Sequence, residues 1–336
     1  MIKETNPLKI LALFTMCILI LFSCRDKKEN GLELQKEKTG KRVLLINSYH
    51  QDYFWTAGIT EAIEATLNSE DSPFVIDLEI IYMDTKRHPS EDFIRERVIE
   101  INSFIKEWSP DLVMTSDDNA ARYLIVPHLI DTSLPVVFCG VNWDASEYGF
   151  PASNVTGMVE VQLIDQIVNT LAQYSNGNRI AFLKGDDFSA RKEAAFFEER
   201  FDLDLIQRFV KDFDEWQVQY ERLQDEADIL LLGNTASISD WDKDRALVLV
   251  HKVTKIPSGN WDESMAEFNL VTFATKAEEQ GEWVANRALE ILSGMDPKDI
   301  PIVENEKAKI FLNMNLAKKL GIVFPIDLID QAFFVE

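Results

Sequence analysis

Three cysteines in a chain of 336 residues, Cys17, Cys24 and Cys139, leave no material for a disulfide framework or a thiolate metal site. Cys139 falls inside the apolar run PVVFCG, where a small buried hydrophobe is expected rather than a reactive thiol. Histidine is almost as scarce. The four present, His50, His88, His128 and His251, stand far apart with no HxxxH or HExxH spacing, so no metal site is expected. Also missing are G-x-S-x-G, the P-loop and G-x-G-x-x-G. No motif calls for a cofactor, and the chain is expected not to be an enzyme. The carboxylate pairs Asp117/Asp118 and Asp186/Asp187 are the one alternative, as Mg²⁺ ligands or as acid and base. Adjacent aspartates at helix starts are more simply partners of the helix dipole.

Positive charge is in deficit: 34 Lys and Arg stand against 57 Asp and Glu, a formal net charge of −23. Phosphate recognition needs clustered Lys and Arg, so nucleic acid is excluded as a partner. The N-terminal apolar run is short as well. Lys3 and Lys9 precede thirteen uncharged residues, Ile10 to Phe22, where a spanning helix needs about 20 apolar residues. A positive region before a short apolar one is the pattern of a secretory signal, so residues 1–23 are expected to be removed. The following LFSC resembles a bacterial lipobox, which implies a mature protein starting at a lipidated Cys24 and held on the outer, periplasmic side of a bacterial membrane. Residues 24–40 are polar with two glycines, as a flexible tether should be.

What the chain has in quantity is apolar residue, 46% of the sequence, enough for two domains of ordinary size. From Val43 onward, strand-like apolar runs alternate with segments of helical period, which argues for α/β architecture with parallel sheets. Ser90 is placed to start a helix with Glu91 and Asp92 in its first turn and Ile94, Val98, Ile101, Ile105 and Trp108 as its stripe. The stretch GVNWDASEYGFPASNVTGM loses periodicity and reads as a crossover between lobes. The alternation restarts beyond it.

One pattern recurs. An apolar strand runs straight into small and polar residues in VLLINSYHQ, LVMTSDDN, VVFCGVNW, IAFLKGDD and ILLLGNTAS. In parallel α/β sheets the carboxyl ends of strands share one edge, and ligands bind in the crevice there. Helix capping accounts for Ser116, Asn119 and Ser189 without a ligand. It accounts poorly for Trp55, Trp143 and Trp261, because large aromatics in loops are usually covering something.

LPVVFCGVN, ASNVTGM, RIAFLKGDD, EWVANRALEILSGMDPKDIPI and IFLNMNLAKKLGIVFP resemble, in this order, the ABC transporter substrate-binding proteins of the type I periplasmic-binding fold. The resemblance spans residues 41–336. It implies two doubly wound parallel-sheet lobes joined by three crossovers near Phe150, Thr275 and Ile302, closing on a trapped ligand. The N-terminal lobe would hold 41–150 plus 275–300, and the C-terminal lobe 151–274 plus 301–336. VLLINSYHQDYFWTAGI, YMDTKRHPS and SDDNA are similar to a subgroup used as extracytoplasmic sensors of histidine kinases or diguanylate cyclases. Two roles follow from the resemblance: delivery of a small solute to an ABC permease, or a ligand-sensing subunit docking to a membrane sensor protein.

Carried over residue by residue, the resemblance implies a cleft lined by Tyr49, His50, Trp55, Asp117, Asp118, Asn142 and Trp143 from one lobe. Asp186, Asp187, Asn234, Thr235, Asn260, Trp261 and Asp262 would face them. Three tryptophans, Tyr49 and up to five aspartates, with Lys184, Arg122, Arg191 and His50 as the nearby cations, favour a ligand carrying an amino group, an amino acid or amine. A sugar stacked on Trp143 or Trp261 is the competing expectation if the aspartates only cap helices.

Overall fold

The computed structural model describes residues 38–336. The expected signal peptide 1–23, the lipidation site Cys24 and most of the tether 24–40 lie outside the described residues. The strand after them begins at Thr39, two residues inside the expected tether. Among the described residues the strands are β1 (Thr39–Asn47), β2 (Phe74–Tyr82), β3 (Leu112–Ser116), β4 (Val136–Asn142), β5 (Val155–Glu160), β6 (Ile180–Gly185) and β7 (Leu205–Val210). They continue as β8 (Ile229–Leu232), β9 (Ser258–Asn260), β10 (Val271–Thr275), β11 (Val303–Glu304), β12 (Ala308–Asn313) and β13 (Ala332–Val335). Two sheets result, β11-β5-β4-β3-β1-β2 and β13-β12-β10-β9-β8-β6-β7. All pairings in the first are parallel. The second is parallel except where β12 runs against β10.

Strands buried on both faces need apolar residues without alternation, and Val43, Leu44, Leu45 and Ile46 of β1 are all fully buried. Helices Phe54–Leu67 and Ala277–Leu292 cover one face through Ile59, Ile63, Val284 and Ala288. Helix Glu91–Trp108 and the segment Asp117–Leu129 cover the other through Ile94, Val98, Leu124 and Ile125. Ser90 caps the former as expected, accepting from Phe93 N at 3.4 Å, and Ile94, Val98, Ile101 and Ile105 are its buried stripe. Trp108 is only half-buried, stacked on Phe104. The second lobe is built on Phe182, Phe197, Trp216, Tyr220 and the β8 leucines. Cys139 is buried in the first lobe, and burial pushes its thiol well up, as suits a hydrophobe.

Two of the expected lobe boundaries move. β5 pairs with β4, so GVNWDASEYGFPASNVTGM stays within the first lobe and the first crossover falls at 161–163 instead of near Phe150. β11 pairs with β5, so 303–304 belong to the first lobe and the last crossover lies at 305–307 instead of near Ile302. The middle crossing is Lys276, between β10 and helix Ala277–Leu292. The loss of periodicity around Phe150 is explained inside one lobe: a short 3₁₀ turn, Ala145–Tyr148, capped by Asp144, links adjacent strands. Asn154, which closes that link, is buried and donates to Leu129 O and Leu134 O.

Candidate functional site

Because all strands of the first sheet, and β6 to β10 of the second, share a direction, the loops after them gather at one edge of each lobe. A cavity of about 330 Å³ lies there, within the range of small-molecule sites. The first lobe contributes Tyr49 and Tyr53 from the turn after β1, Phe54 and Trp55 from the start of helix Phe54–Leu67, and Lys86 from the loop after β2. It adds Asp117 from the end of β3, Asn142 from β4 and Glu160 from β5. Opposite are Trp261, Asp262 and Glu263 after β9, and Ala274 and Thr275 at the end of β10.

Asp117 is the buried centre of this wall, 3% exposed. It holds a left-handed backbone, φ 67°, unusual for a side chain with a Cβ. Trp55 Nε1 donates to its Oδ1 at 3.0 Å. Gly140, also left-handed at φ 64°, passes so close that a Cβ there would lie 3.1 Å from Asp117 Oδ1. Ser116 Oγ lies 2.9 Å from both Asp117 Oδ2 and Asn47 Oδ1, and its one proton serves one of them. Asp117 Oδ2 accepts when that proton turns to it. Burial first of all, with Glu160 and Asp118 adding to it, pushes Asp117 up to about 8 against the hydrogen bonds from Ser116 and Trp55.

Glu160 sits at the seam of the lobes. Its Oε1 accepts from Thr275 Oγ1 at 3.0 Å, joining the end of β5 to the end of β10 across the two sheets. Burial raises it to about 7, opposed by the Thr275 hydrogen bond, while the Asp118 charge raises it and Lys86 lowers it. Burial and the same carboxylates push the Tyr49 phenol up as well.

The aromatic faces are partly taken. Lys86 Nζ lies 4.6 Å from the centre of the Tyr49 ring and 4.0 Å from that of Tyr53, contacts worth about 0.5–2 kcal/mol each. Trp261 is braced from behind, stacked on Phe182 at 6.0 Å and edge-on to Phe197 at 5.0 Å. Its indole also bonds Glu193, a buried carboxylate that takes a hydrogen bond from buried Lys184. Such a platform holds its orientation without ligand.

The structure brings together Tyr49, Trp55, Asp117, Asn142, Trp261 and Asp262 of the predicted set. The other eight do not line this cavity. His50 lies with Nδ1 3.7 Å from Asp84 Oδ1. Asp118 accepts from Tyr148 Oη at 2.8 Å and from Asn142 Nδ2, tying two loops of its own lobe. Trp143 stacks on Phe196 of the other lobe at 5.0 Å, with Lys192 over its ring, and bridges the lobes outside the cavity. Asp186 pairs with Arg191, and Asp187 caps helix Phe188–Phe201 through Ala190 N. Asn234 and Thr235 close the turn after β8 onto Ala236 and Ile238. Buried Asn260 bonds Leu232 O and Asp262 N and so ties β9 to β8. Capping thus accounts for Asp187, the competing expectation at that position, whereas Asp186 is held by an ion pair and Asp262 both caps the turn Glu263–Phe268 and lines the cavity.

Tyr53, Phe54, Lys86, Glu160, Glu263, Ala274 and Thr275 line the cavity without having been predicted. The strand-end rule, extended to VTGMVE and VTFAT, finds Glu160 and Thr275. None of the expected cations is at the cavity: Lys184 and Arg191 are paired as above, and Arg122 lies over Tyr123. Among the described residues no group of three or more His, Cys, Asp or Glu is placed to hold a metal ion.

Two α/β lobes with a ligand-sized cavity between the carboxyl ends of their strands define a two-lobed solute-binding protein of the type I periplasmic-binding fold. The chain belongs to the ABC transporter substrate-binding protein family, whose model matches residues 77–335. CD0873 of Clostridium difficile, a substrate binding protein with adhesive properties, in its ligand-free, open structure, is 15% identical with a TM-score of 0.66, over 88% of this chain and 99% of that one. An ABC domain in complex with L-Trp from Streptococcus pneumonia is 16% identical with a TM-score of 0.53, over 89% and 100%. A periplasmic ribose ABC transporter protein from Conexibacter woesei is 14% identical with a TM-score of 0.52, over 85% and 96%. Compared by sequence with the curated proteins, the chain matches none.

Proposed function

We propose that the protein is a lipid-anchored, extracytoplasmic binding protein that holds a small organic ligand bearing an amino group, an amino acid or amine, between its lobes and delivers it to an ABC permease. The observation that carries the ligand class is the pair Asp117 and Glu160. Two buried carboxyls that give up their protons only near 8 and near 7 have most to gain from an ammonium group, which supplies the missing counter-charge. The pneumococcal neighbour, which shares the fold, is in complex with L-Trp, in keeping with an amino acid. Closure is favourable because ligand touching both walls binds the closed arrangement better than the open one.

Thermal-shift screening of amino acids, polyamines, sugars and nucleosides tests this reading. A ligand at 100 times its Kd raises stability by about 2.7 kcal/mol, a shift of several degrees. Amino compounds are expected to give it. Stabilisation by sugars or anions alone, undiminished in Asp117→Asn, would remove the proposal. Anchoring is tested separately: Cys24→Ser is expected to move the protein from the membrane to the soluble fraction, and unchanged membrane retention of that variant contradicts a lipidated Cys24. No helix among the described residues is long and apolar enough to cross a membrane.

The sensing role is the second reading, and one observation favours it. The three pieces similar to the sensor subgroup supply Tyr49, Tyr53, Phe54, Trp55, Lys86 and Asp117, most of the first-lobe wall of the cavity. A membrane kinase or cyclase that co-purifies with the ligand-loaded protein, where a permease does not, would decide for it.

A further inference from the structure

We infer that Lys86 is a specificity-determining residue that takes an anionic group of the ligand, so the site selects a zwitterion over the corresponding plain amine. The inference rests on the amino-ligand reading above and adds a second requirement to it. Lys86 is the only cation among the described residues that line the cavity, beside four carboxyls, Asp117, Glu160, Asp262 and Glu263. Two of the four are already occupied on their own lobe: Glu263 pairs with Lys309 at 2.8 Å, and Asp262 accepts from Ser264 N at 3.0 Å. The others are the buried acids of the first lobe. An ammonium group suits them, and it leaves Lys86 unanswered.

Lys86 is not placed there by an ion pair. Among the described residues no carboxylate lies within pairing distance of its ammonium, which rests on the Tyr49 and Tyr53 rings. Its neighbours on the loop are spent differently, with Arg87 held by Asp84 through two bonds of 2.7 Å. Buried Thr85 fixes the base of the loop by donating to Ser48 O at 2.8 Å. The cation therefore sits at the end of a long side chain on an anchored backbone, exposed and at the cavity wall, with its charge felt by Glu160 but, among the described residues, with no carboxylate in direct contact. A plain amine would enter beside an unpaired like charge. A ligand with a carboxylate pairs with Lys86 by charge-assisted hydrogen bonds and turns that repulsion into attraction.

Matched probes separate the two requirements: phenylalanine with phenethylamine, lysine with cadaverine, and arginine with agmatine, titrated by calorimetry into wild type and Lys86→Met. For a pair that binds, wild type is expected to prefer the amino acid by at least tenfold. Lys86→Met is expected to lose at least tenfold for the amino acid while holding or gaining affinity for the amine, so the preference collapses. Equal affinity of the two in wild type, or an unchanged preference in Lys86→Met, overturns the role of Lys86 and leaves the amino-ligand reading standing. Failure of both members of every pair overturns that reading and the role of Lys86 with it. Lys86→Arg, which keeps the charge, is expected to retain the preference, and its loss there would likewise count against the inference.

Discussion

Asp117→Asn is expected to flatten the pH dependence of ligand binding and to weaken binding at pH 8 by about 10- to 100-fold, the worth of one hydrogen bond to a charged group. In the empty wild type Asp117 gives up its proton only near 8 and Glu160 near 7, because both are buried and stand close to Asp118. An ammonium ligand needs the carboxylate, so at lower pH binding must expel a proton. Affinity for an amino compound should therefore rise with pH from 6 to 8, by up to about tenfold per unit for each proton released. The two acids titrate as a coupled set, with Lys86 and Tyr49 facing them, so the measured midpoints belong to the set. Stability of the empty protein runs the other way. Asp117 has an ordinary value of 3.8 in the unfolded chain and about 8 when folded. Its contribution is fully present below pH 4 and is lost as pH rises through 8; the asparagine variant lacks that slope. Calorimetry in buffers of different ionisation enthalpy reads the released protons directly. A wild-type affinity that is level between pH 6 and 8, with no proton release, would falsify the coupling.

The sequence makes the first wall of the site readable and the second misleading, for a physical reason. β1, β3 and β4 are continuous apolar runs ended by polar residues, and the chain turns at once, so their ends can be located to a residue. Tyr49, Trp55, Asp117 and Asn142 follow directly. β5 escapes because Glu160 is followed by VQL, and apolar residues on both sides hide the strand end. In the second lobe GDD after β6 and GNTAS after β8 carry the same pattern, yet Asp187 is used up as a helix cap and Asn234 in a turn. Capping and ligand binding ask for the same residue types, so sequence alone does not separate them. The lobe boundary near Phe150 fails similarly: a 3₁₀ turn between adjacent strands breaks periodicity as thoroughly as a crossover does. Lys86 illustrates a third limit. Its place over two tyrosines depends on β1 and β2 being neighbours in the sheet, a pairing that no local pattern states.

Gly281→Ala is expected to destabilise the protein, although alanine is the better helix former by about 1 kcal/mol. Gly281 lies buried in helix Ala277–Leu292, where an added Cβ would overlap the carbonyl oxygen of Ile59 and come 2.9 Å from the Ala62 Cβ. The partner helix Phe54–Leu67 answers with Gly58, whose Cβ would lie 2.8 Å from that of Ala277. Backbone rather than a flexible side chain is in the way at Gly281, so the helices must separate. Overpacking of this kind costs about 1–3 kcal/mol, which exceeds the gain in propensity. Gly281→Val adds a branched side chain at the same contact and should cost more. The consequence reaches the site, because helix Phe54–Leu67 begins with the cavity residues Phe54 and Trp55, and Trp55 holds Asp117 through its indole. Gly281 itself stands one helical turn past the Lys276 crossover. Separation of the two helices should therefore loosen ligand binding together with the fold, whereas a surface substitution on the same helix, Asn286→Ala, should do neither. Urea unfolding with an unchanged slope gives the stability difference, and thermal shift with the ligand found by screening gives the binding loss. A Gly281→Ala protein as stable as wild type would mean that the two helices have slack, and that the position of Trp55 is set by the turn after β1 alone.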